Sequence, residues 1–280
     1  MVPSFLVVAG LVLYPLLYSI WLSFQSRHIF SPTGRFIGLA NYWTLLNSRE
    51  FWESFKHGAI FSTVSVALQV FLGVVLALLV HRQFWGRTVI RGAMILPFII
   101  PTVVAILVWK WMLNDLYGII NHWLLSLGLF GEPVQWLSSP GIAMATVILI
   151  NVWLFFPFVL ITVLARLQVI PVELYEAARV DGAGPLRQFL HVTLPQIRGV
   201  LFIVVLVRIL WMFNKFDSVW LVTEGGPLGA TQHVPIFTYL QAFGQLNLGR
   251  GAAAATLLFV FLSLIMVLYF HVFRPAEDTL

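Results

Sequence analysis

An all-α polytopic membrane domain is the fold class this chain predicts, on three observations. Of its 280 residues 60% are hydrophobic and only 10% charged, against about 25% charged in an average soluble domain. The apolar residues gather into runs of roughly 20, the length that crosses a hydrocarbon core of about 30 Å. Backbone polar groups in lipid must bond within the chain, so those runs are helices. The mean hydropathy of +0.94 agrees. There are no cysteines, which excludes disulfides and thiolate metal sites.

About six spans follow in order: 4–24, 57–80, 93–113, 141–165, 197–217 and 251–273. The first follows neither a charged n-region nor a small-residue cleavage site, so it reads as a span that stays rather than a signal peptide. The chain begins almost directly in that helix, and a short cytoplasmic tail is expected ahead of it. Pro97 and Pro101 should kink the third span, Pro157 the fourth and Pro15 the first. No tandem repeat, low-complexity segment or long linker divides the chain, so residues 1–280 form one membrane domain.

Lys and Arg set the orientation. Segment 81–92 holds Arg82, Arg87 and Arg91. Segment 166–198 holds Arg166, Arg179, Arg187 and Arg198, and Arg274 follows the last span. Segments 114–140 and 218–249 hold neither Lys nor Arg. This places 81–92, 166–198 and both termini in the cytoplasm, although segment 25–56, with Arg27, Arg35, Arg49 and Lys56, argues the other way. Tyr18, Trp21, Trp109, Trp111, Trp123, Trp136 and Trp220 stand near span ends, as an aromatic belt requires. The net charge of +5 fits basic loops at a bilayer surface. The basic residues are scattered and form no continuous face for nucleic acid.

Several chemistries lack their residues. No Gly-x-x-x-x-Gly-Lys-Ser/Thr loop is present to cradle nucleotide phosphates, and no His-Glu-x-x-His helix to hold zinc. No Gly-x-Ser-x-Gly elbow is found. The seven histidines are dispersed and read as interfacial or loop residues. Asp115 and Asp217 stand at outer span ends, and no Asp or Glu falls in a span centre, which removes the usual parts of a proton relay. An ion-coupled secondary transporter is therefore the weaker alternative. An intramembrane enzyme needs a nucleophile and a base on facing helices, and no such pair stands out. A purely structural scaffold would leave a mid-span arginine without purpose.

The polar stretch 171–196 interrupts this apolar pattern. Residues 173–180 are good helix formers. Pro171 suits a helix start, and Gly182 and Gly184 suit its end, where glycine tolerates the left-handed conformation. Pro185 opens a second short helix with Leu186, Phe189, Leu190 and Leu194 at helical spacing, and Pro195 should break it before span five. The result is a helix-turn-helix across the cytoplasmic mouth, in which Ala177 and Ala178 let a partner backbone approach closely. An amphipathic connector lying on the membrane surface would show much of the same pattern.

The pattern Glu176-Ala177-Ala178, three residues, Gly182, nine residues, Val192-Thr193-Leu194-Pro195 resembles the signature of permease subunits of bacterial and archaeal ABC importers. It departs at Val192, where Ile is usual. Further stretches resemble the sugar-importer branch, the maltose and glycerol-phosphate permease type. They include Ser19-Ile20-Trp21-Leu22-Ser23-Phe24, Ile37-Gly38-Leu39-Ala40-Asn41-Tyr42, Tyr117-Gly118-Ile119-Ile120-Asn121, Phe213-Asn214-Lys215-Phe216-Asp217 and Thr223-Glu224-Gly225-Gly226-Pro227. The resemblance covers essentially the whole chain, without the extra spans and large outer domain of the maltose permease. It implies that the loop is a coupling helix docking into a groove of an ATPase subunit, with Glu176 and Asp181 facing basic partners and Gly182 making the turn. It also implies a second, homologous permease, a cytoplasmic ATPase dimer, a solute-binding protein outside, and a cytoplasmic (inner) membrane location. ATP and Mg would belong to the ATPase, and this chain would bind no cofactor and catalyse no reaction itself.

Substrate passage points to span five. Arg208 stands about eleven residues from its cytoplasmic end, roughly 16 Å at helical rise. There a charge is costly unless it faces a pocket or a partner. Arg208, Trp211, Met212 and Lys215 follow i, i+3, i+4, i+7 spacing and share a face. Aromatic faces stack on sugar rings and cationic donors bond hydroxyls. Alternatively, Arg208 ties span five to a neighbouring helix, and Lys215 snorkels to the interface. The resemblance adds Phe155 and Phe158 from span four, for which core packing is an equal reading. Asn151 and Asn214 are further candidates. The mechanism would be alternating access. A sugar is expected, neutral or anionic, with a non-sugar or glycerol-phosphate-like solute as the other reading.

Overall fold

The computed structural model describes residues 7, 9–31 and 33–272. A short π-helical turn, Ala9–Leu13, leads into α1 (Tyr14–Ser23). The described part of the first expected span is thus 15 residues, Ala9–Ser23. Its start lies outside the described residues, as does Arg274. An antiparallel ribbon follows, β1 (Gln25–Ser26) against β2 (Arg35–Phe36), with Gln25 opposite Phe36. Asn41, on α2 (Ala40–Leu46), donates to the carbonyls of Ser23 and Gln25 at 2.8 and 2.9 Å, tying this ribbon to the first helix.

Helix α3 (Arg49–His81) begins eight residues before its apolar run. The cap explains this: Ser48 accepts a hydrogen bond from the Phe51 amide at 3.4 Å, and Glu50 sits in the first turn. Much of segment 25–56 is accordingly helical rather than loop. The buried face of α3 carries Ser54, Gly58, Ser62, Ser65, Gln69, Gly73 and Ala77, small or polar residues three or four apart. Such a stripe lets backbones approach closely, the usual source of association between helices in lipid. A Cβ at Gly73 would stand 2.6 Å from Val159 Cβ, so glycine is required there. Val159 lies on α7 (Pro140–Leu167), which runs through Pro157 without interruption and is the most buried of the spans.

Between α3 and α7 the expected third span, 93–113, is two helices rather than one kinked one. Helix α4 (Arg87–Ile99) contains Pro97, while α5 (Thr102–Met112) starts after Pro101, and the two meet at 94°. The break falls at Ile100, whose extended backbone (ψ 132°) is what the residue before a proline prefers. A short outer helix, α6 (Ile119–Ser126), is fixed by Asn121. Its Oδ1 accepts from the Trp136 indole at 2.9 Å and from the Val134 amide at 3.2 Å.

Helices α8 (Val172–Val180) and α9 (Pro185–Gln188) form the expected helix-turn-helix. One correction concerns Pro195. It does not break the second helix, because Pro185–Phe213 is a continuous helical rod of 29 residues. A π-helical turn, Phe189–Thr193, precedes α10 (Leu194–Phe213), with the Leu194 amide bonding to Phe189 O. That wider turn accommodates a residue with no amide hydrogen near the start of the next segment. Another correction concerns span five, which ends at Phe213 rather than 217. Asn214 and Lys215 turn the chain into α11 (Phe216–Thr223). Finally α12 (Val234–Tyr239) and α13 (Leu248–Val272) close the bundle, α13 packing along α1. Among the described residues four helices are long and apolar enough to cross a membrane, or five if the bent α4–α5 pair is one span.

Candidate functional site: an exposed hairpin and a cavity at Arg208

The α8–α9 hairpin is built by local chemistry. The Gly182 amide bonds to Arg179 O at 3.0 Å and the Ala183 amide to Ala178 O at 2.8 Å. This is a Schellman closure, with Gly182 at φ +77°. Gly184, also expected to be left-handed, is extended instead (φ −69°, ψ 171°) and serves as the start of α9. Glu176, Ala177, Asp181, Gly182, Leu194 and Pro195 are exposed and Ala178 is half-buried. Val180 (88% exposed) and Leu186 (71%) flank the turn with apolar surface.

One contact anchors this exposed hairpin to the rod, and a second ties the end of α7 to the same place. Tyr175 Oη lies 3.0 Å from the hydroxyl of the buried Thr193. Arg166, at the end of α7, donates from Nε to Gln196 O at 2.9 Å and from Nη2 to Gln196 Oε1 at 3.2 Å. Neither contact was legible in the sequence, because an interior Tyr or Gln carries no partner label.

Five residues before the end of α10, Arg208 is 1% exposed. Its Nε donates to Gln69 Oε1 on α3 at 2.8 Å, and its Nη2 is buried without a partner. The guanidinium carbon lies 4.9 Å from the Phe155 ring centre, 5.6 Å from Trp211 and 5.9 Å from Phe158. These are cation–π distances. Asp217 bonds to Lys215 instead: the ammonium is 3.0 Å from its carboxylate and 4.7 Å over the Phe155 ring. Because α10 ends at Phe213, Lys215 is not the next turn of one helix face, yet the turn brings it back to the same place.

These residues line a cavity of about 290 Å³ formed by Phe155, Arg208, Leu210, Trp211, Met212, Asn214, Lys215 and Asp217. Phe158 stacks at a tilt on Trp211, 5.4 Å between centres, and borders the group. One expected residue is set apart. Asn151 is fully buried, its Oδ1 accepting from Ser218 at 2.7 Å and its Nδ2 bonding Val147 O at 2.9 Å. Met212 is 1% exposed and receives Gln69 Nε2 on its sulfur at 3.6 Å. Gln69 also donates to Asn151 O at 3.2 Å, so Arg208, Gln69, Asn151 and Ser218 form one buried polar chain across α10, α3, α7 and α11. Sequence reasoning passed over Gln69. Its signal was a lone amide inside an apolar run. Phe98 on α4 was missed too; it sits 6.4 and 6.2 Å from Phe155 and Phe158.

Above the cavity, His233 is 1% exposed, and its Nε2 lies 2.8 Å from Lys215 O. Burial pushes its pKa down to about 4; the contact with the Lys215 carbonyl opposes this, and His57 adds to it. The neutral ring therefore donates from Nε2.

Comparison with known proteins gives a consistent outcome. A family model described as binding-protein-dependent transport system inner membrane component matches residues 69–277. The trehalose/maltose transport system permease protein MalF of Thermococcus litoralis is 36% identical over 279 residues, covering 99% of this chain and 92% of its own. The inner membrane ABC transporter permease protein YcjO of Escherichia coli is 34% identical over 269 residues, covering 95% and 90%. Among solved structures, a chain of a bacterial alginate ABC transporter in complex with alginate pentasaccharide-bound periplasmic protein superposes with a TM-score of 0.86 at 22% identity, over 98% of this chain and 92% of that one.

Proposed function

The chain belongs to the family of binding-protein-dependent transport system inner membrane components, and on that premise we propose that it is one permease subunit of an ATP-driven sugar importer. The partners are a second, homologous permease, a cytoplasmic ATPase dimer using ATP and Mg, and a solute-binding protein outside. This subunit contributes a path and a lever, and hydrolysis belongs to the ATPase.

The observation that carries the substrate reading is the cavity at Arg208. Phe155 and Trp211 offer ring faces for a pyranose, and Arg208, Lys215, Asp217 and Asn214 offer hydrogen-bonding groups for its hydroxyls. A cavity of this volume sits at the lower edge of the range of about 300–1,000 Å³ for small-molecule sites, and the second permease would supply its other half. A relative named for trehalose and maltose transport favours a sugar.

The lever is the α8–α9 hairpin. Closure of the ATPase dimer on ATP would displace the hairpin, and the Tyr175–Thr193 contact would pass the movement to α10, whose base Arg166 joins to the end of α7. Since α10 carries Arg208, the cavity would turn between outward-facing and inward-facing states. Coupling of this kind needs contacts that differ between the two states, and a hairpin with an exposed outer surface can make them with a partner.

The test is uptake of labelled maltose or trehalose by the reconstituted complex. Uptake is expected to require both ATP and the binding protein. Uptake driven by an ion gradient with the isolated chain would overturn the proposal. Within the complex, Arg208→Ala and Trp211→Ala are each expected to cut uptake at least tenfold; full uptake in both, at normal expression, would refute this lining.

A further inference from the structure

At the end of α3 the apolar run stops, and residues 81–92 read His-Arg-Gln-Phe-Trp-Gly-Arg-Thr-Val-Ile-Arg-Gly, with three arginines and no acidic residue. They help to enclose a cavity of about 560 Å³, lined by His81, Arg82, Gln83, Arg87, Arg91 and Gln168. No carboxylate stands in its wall. Arg91 is engaged already: its Nε and Nη2 donate to Val80 O at 3.1 and 2.6 Å, capping α3. Arg82 and Arg87 take part in neither ion pair found among the described residues. His81 Nδ1 is buried without a hydrogen-bond partner. Arg87 also sits in the first turn of α4, the end of a helix that disfavours a cation.

Orientation signalling explains why a loop carries arginines, but not why they converge on one cavity, since the rule counts charges and ignores their geometry. The converging donors call for an anion, and their surroundings identify its phase. Trp85, between the lining residues Gln83 and Arg87 in sequence, is 99% exposed, and Phe84 and Ile90 are exposed with Val89 (75%). A bare tryptophan at the end of an apolar span is placed for the headgroup level, with apolar side chains of α4 directed to the hydrocarbon. A soluble anion gains nothing from that apolar rim.

We propose that this cavity binds the phosphate headgroup of an anionic phospholipid, with Arg82 and Arg87 donating to the phosphate oxygens and Trp85 seated at the interface beside it. Charge-assisted bonds from a guanidinium suit a phosphodiester. The site is independent of the substrate path, and a lipid held there would brace the junction of α3, α4 and α7.

The test uses the assembled transporter in detergent, titrated with short-chain phosphatidylglycerol, with native mass spectrometry counting bound lipid. One tight phosphatidylglycerol per copy of this chain is expected, with phosphatidylcholine failing to compete. Arg82→Ala with Arg87→Ala is expected to weaken it by roughly 30-fold. If that pair fails to fold, Arg82→Gln alone is expected to weaken it by about fivefold. Unchanged affinity in whichever variant folds would overturn the proposal. Inorganic phosphate displacing the lipid at equal concentration would also overturn it, assigning the cavity to a soluble anion.

Discussion

The α8–α9 hairpin and the Arg208 cavity are held together in opposite ways. The hairpin is exposed, and its shape comes from bonds within a dozen residues: Pro171 at one start, Pro185 at the other, and a Schellman closure on Gly182. A Cβ on Gly182 would meet nothing within 4 Å, so its own chain does not press on it. The cavity is the reverse. Arg208 and Gln69 are 139 residues apart in sequence and fully buried together. A surface shaped locally and left open is free to meet a partner. A site assembled from distant helices holds a defined geometry. The two differ in what a substitution costs, and that difference can be measured.

The largest effect is expected in the cavity. Gln69→Leu strands the Arg208 guanidinium without its hydrogen-bonding partner. The loss is about 3 kcal/mol, read as a lowered unfolding temperature of the purified complex. An unchanged temperature would show that the buried chain from Arg208 to Ser218 does not hold the helices together. Gly182→Val separates the two regions next. Strain at φ +77° is about 1–2 kcal/mol, confined to the turn. Thermal stability should therefore shift less than in Gln69→Leu, while uptake falls steeply. A parallel fall of both would mean that the hairpin is structural after all.

Acid sharpens the comparison from the cavity side. His233 is neutral in the folded protein, with a pKa about 4 against 6.5 unfolded. Its contribution is complete above pH 6.5 and is lost as the pH falls toward 4, because the unfolded chain binds the proton first. By pH 5.5 the loss is about 1.4 kcal/mol. His233→Gln should flatten this dependence of the unfolding temperature, and an equal dependence in the variant would assign it to other groups. Smaller still is Tyr175→Phe, which removes the bond to Thr193 at a cost of about 1 kcal/mol. It should raise the ATP consumed per sugar moved without altering assembly, and an unchanged ratio would remove this contact from the lever.

The same contrast explains what was legible in the sequence. Glycine and proline write turns directly into it, so the hairpin and its left-handed Gly182 were readable. Its continuation through Pro195 was not, because a π-helical turn leaves no residue signature. Composition placed the four long apolar helices, while Ser48 and Ile100-Pro101 set boundaries that hydropathy blurs. In the cavity, Arg208 and Trp211 stood out by charge and periodicity. Gln69 and Phe98 did not, since contact between α3, α4 and α10 is a property of packing. Lys215 was placed with Arg208 for a reason that fails, a helix face that ends at Phe213, and reaches the cavity by the turn that follows.

Glu176→Lys tests the central claim most directly, with the partner ATPase retained on the purified permease and the unfolding temperature both measured. Glu176 is exposed and makes no ion pair among the described residues, so the fold should be unaffected. The expected result is an unchanged unfolding temperature with loss of most of the co-purifying ATPase. Full retention of the ATPase, with normal uptake, would contradict the assignment of the hairpin as the lever.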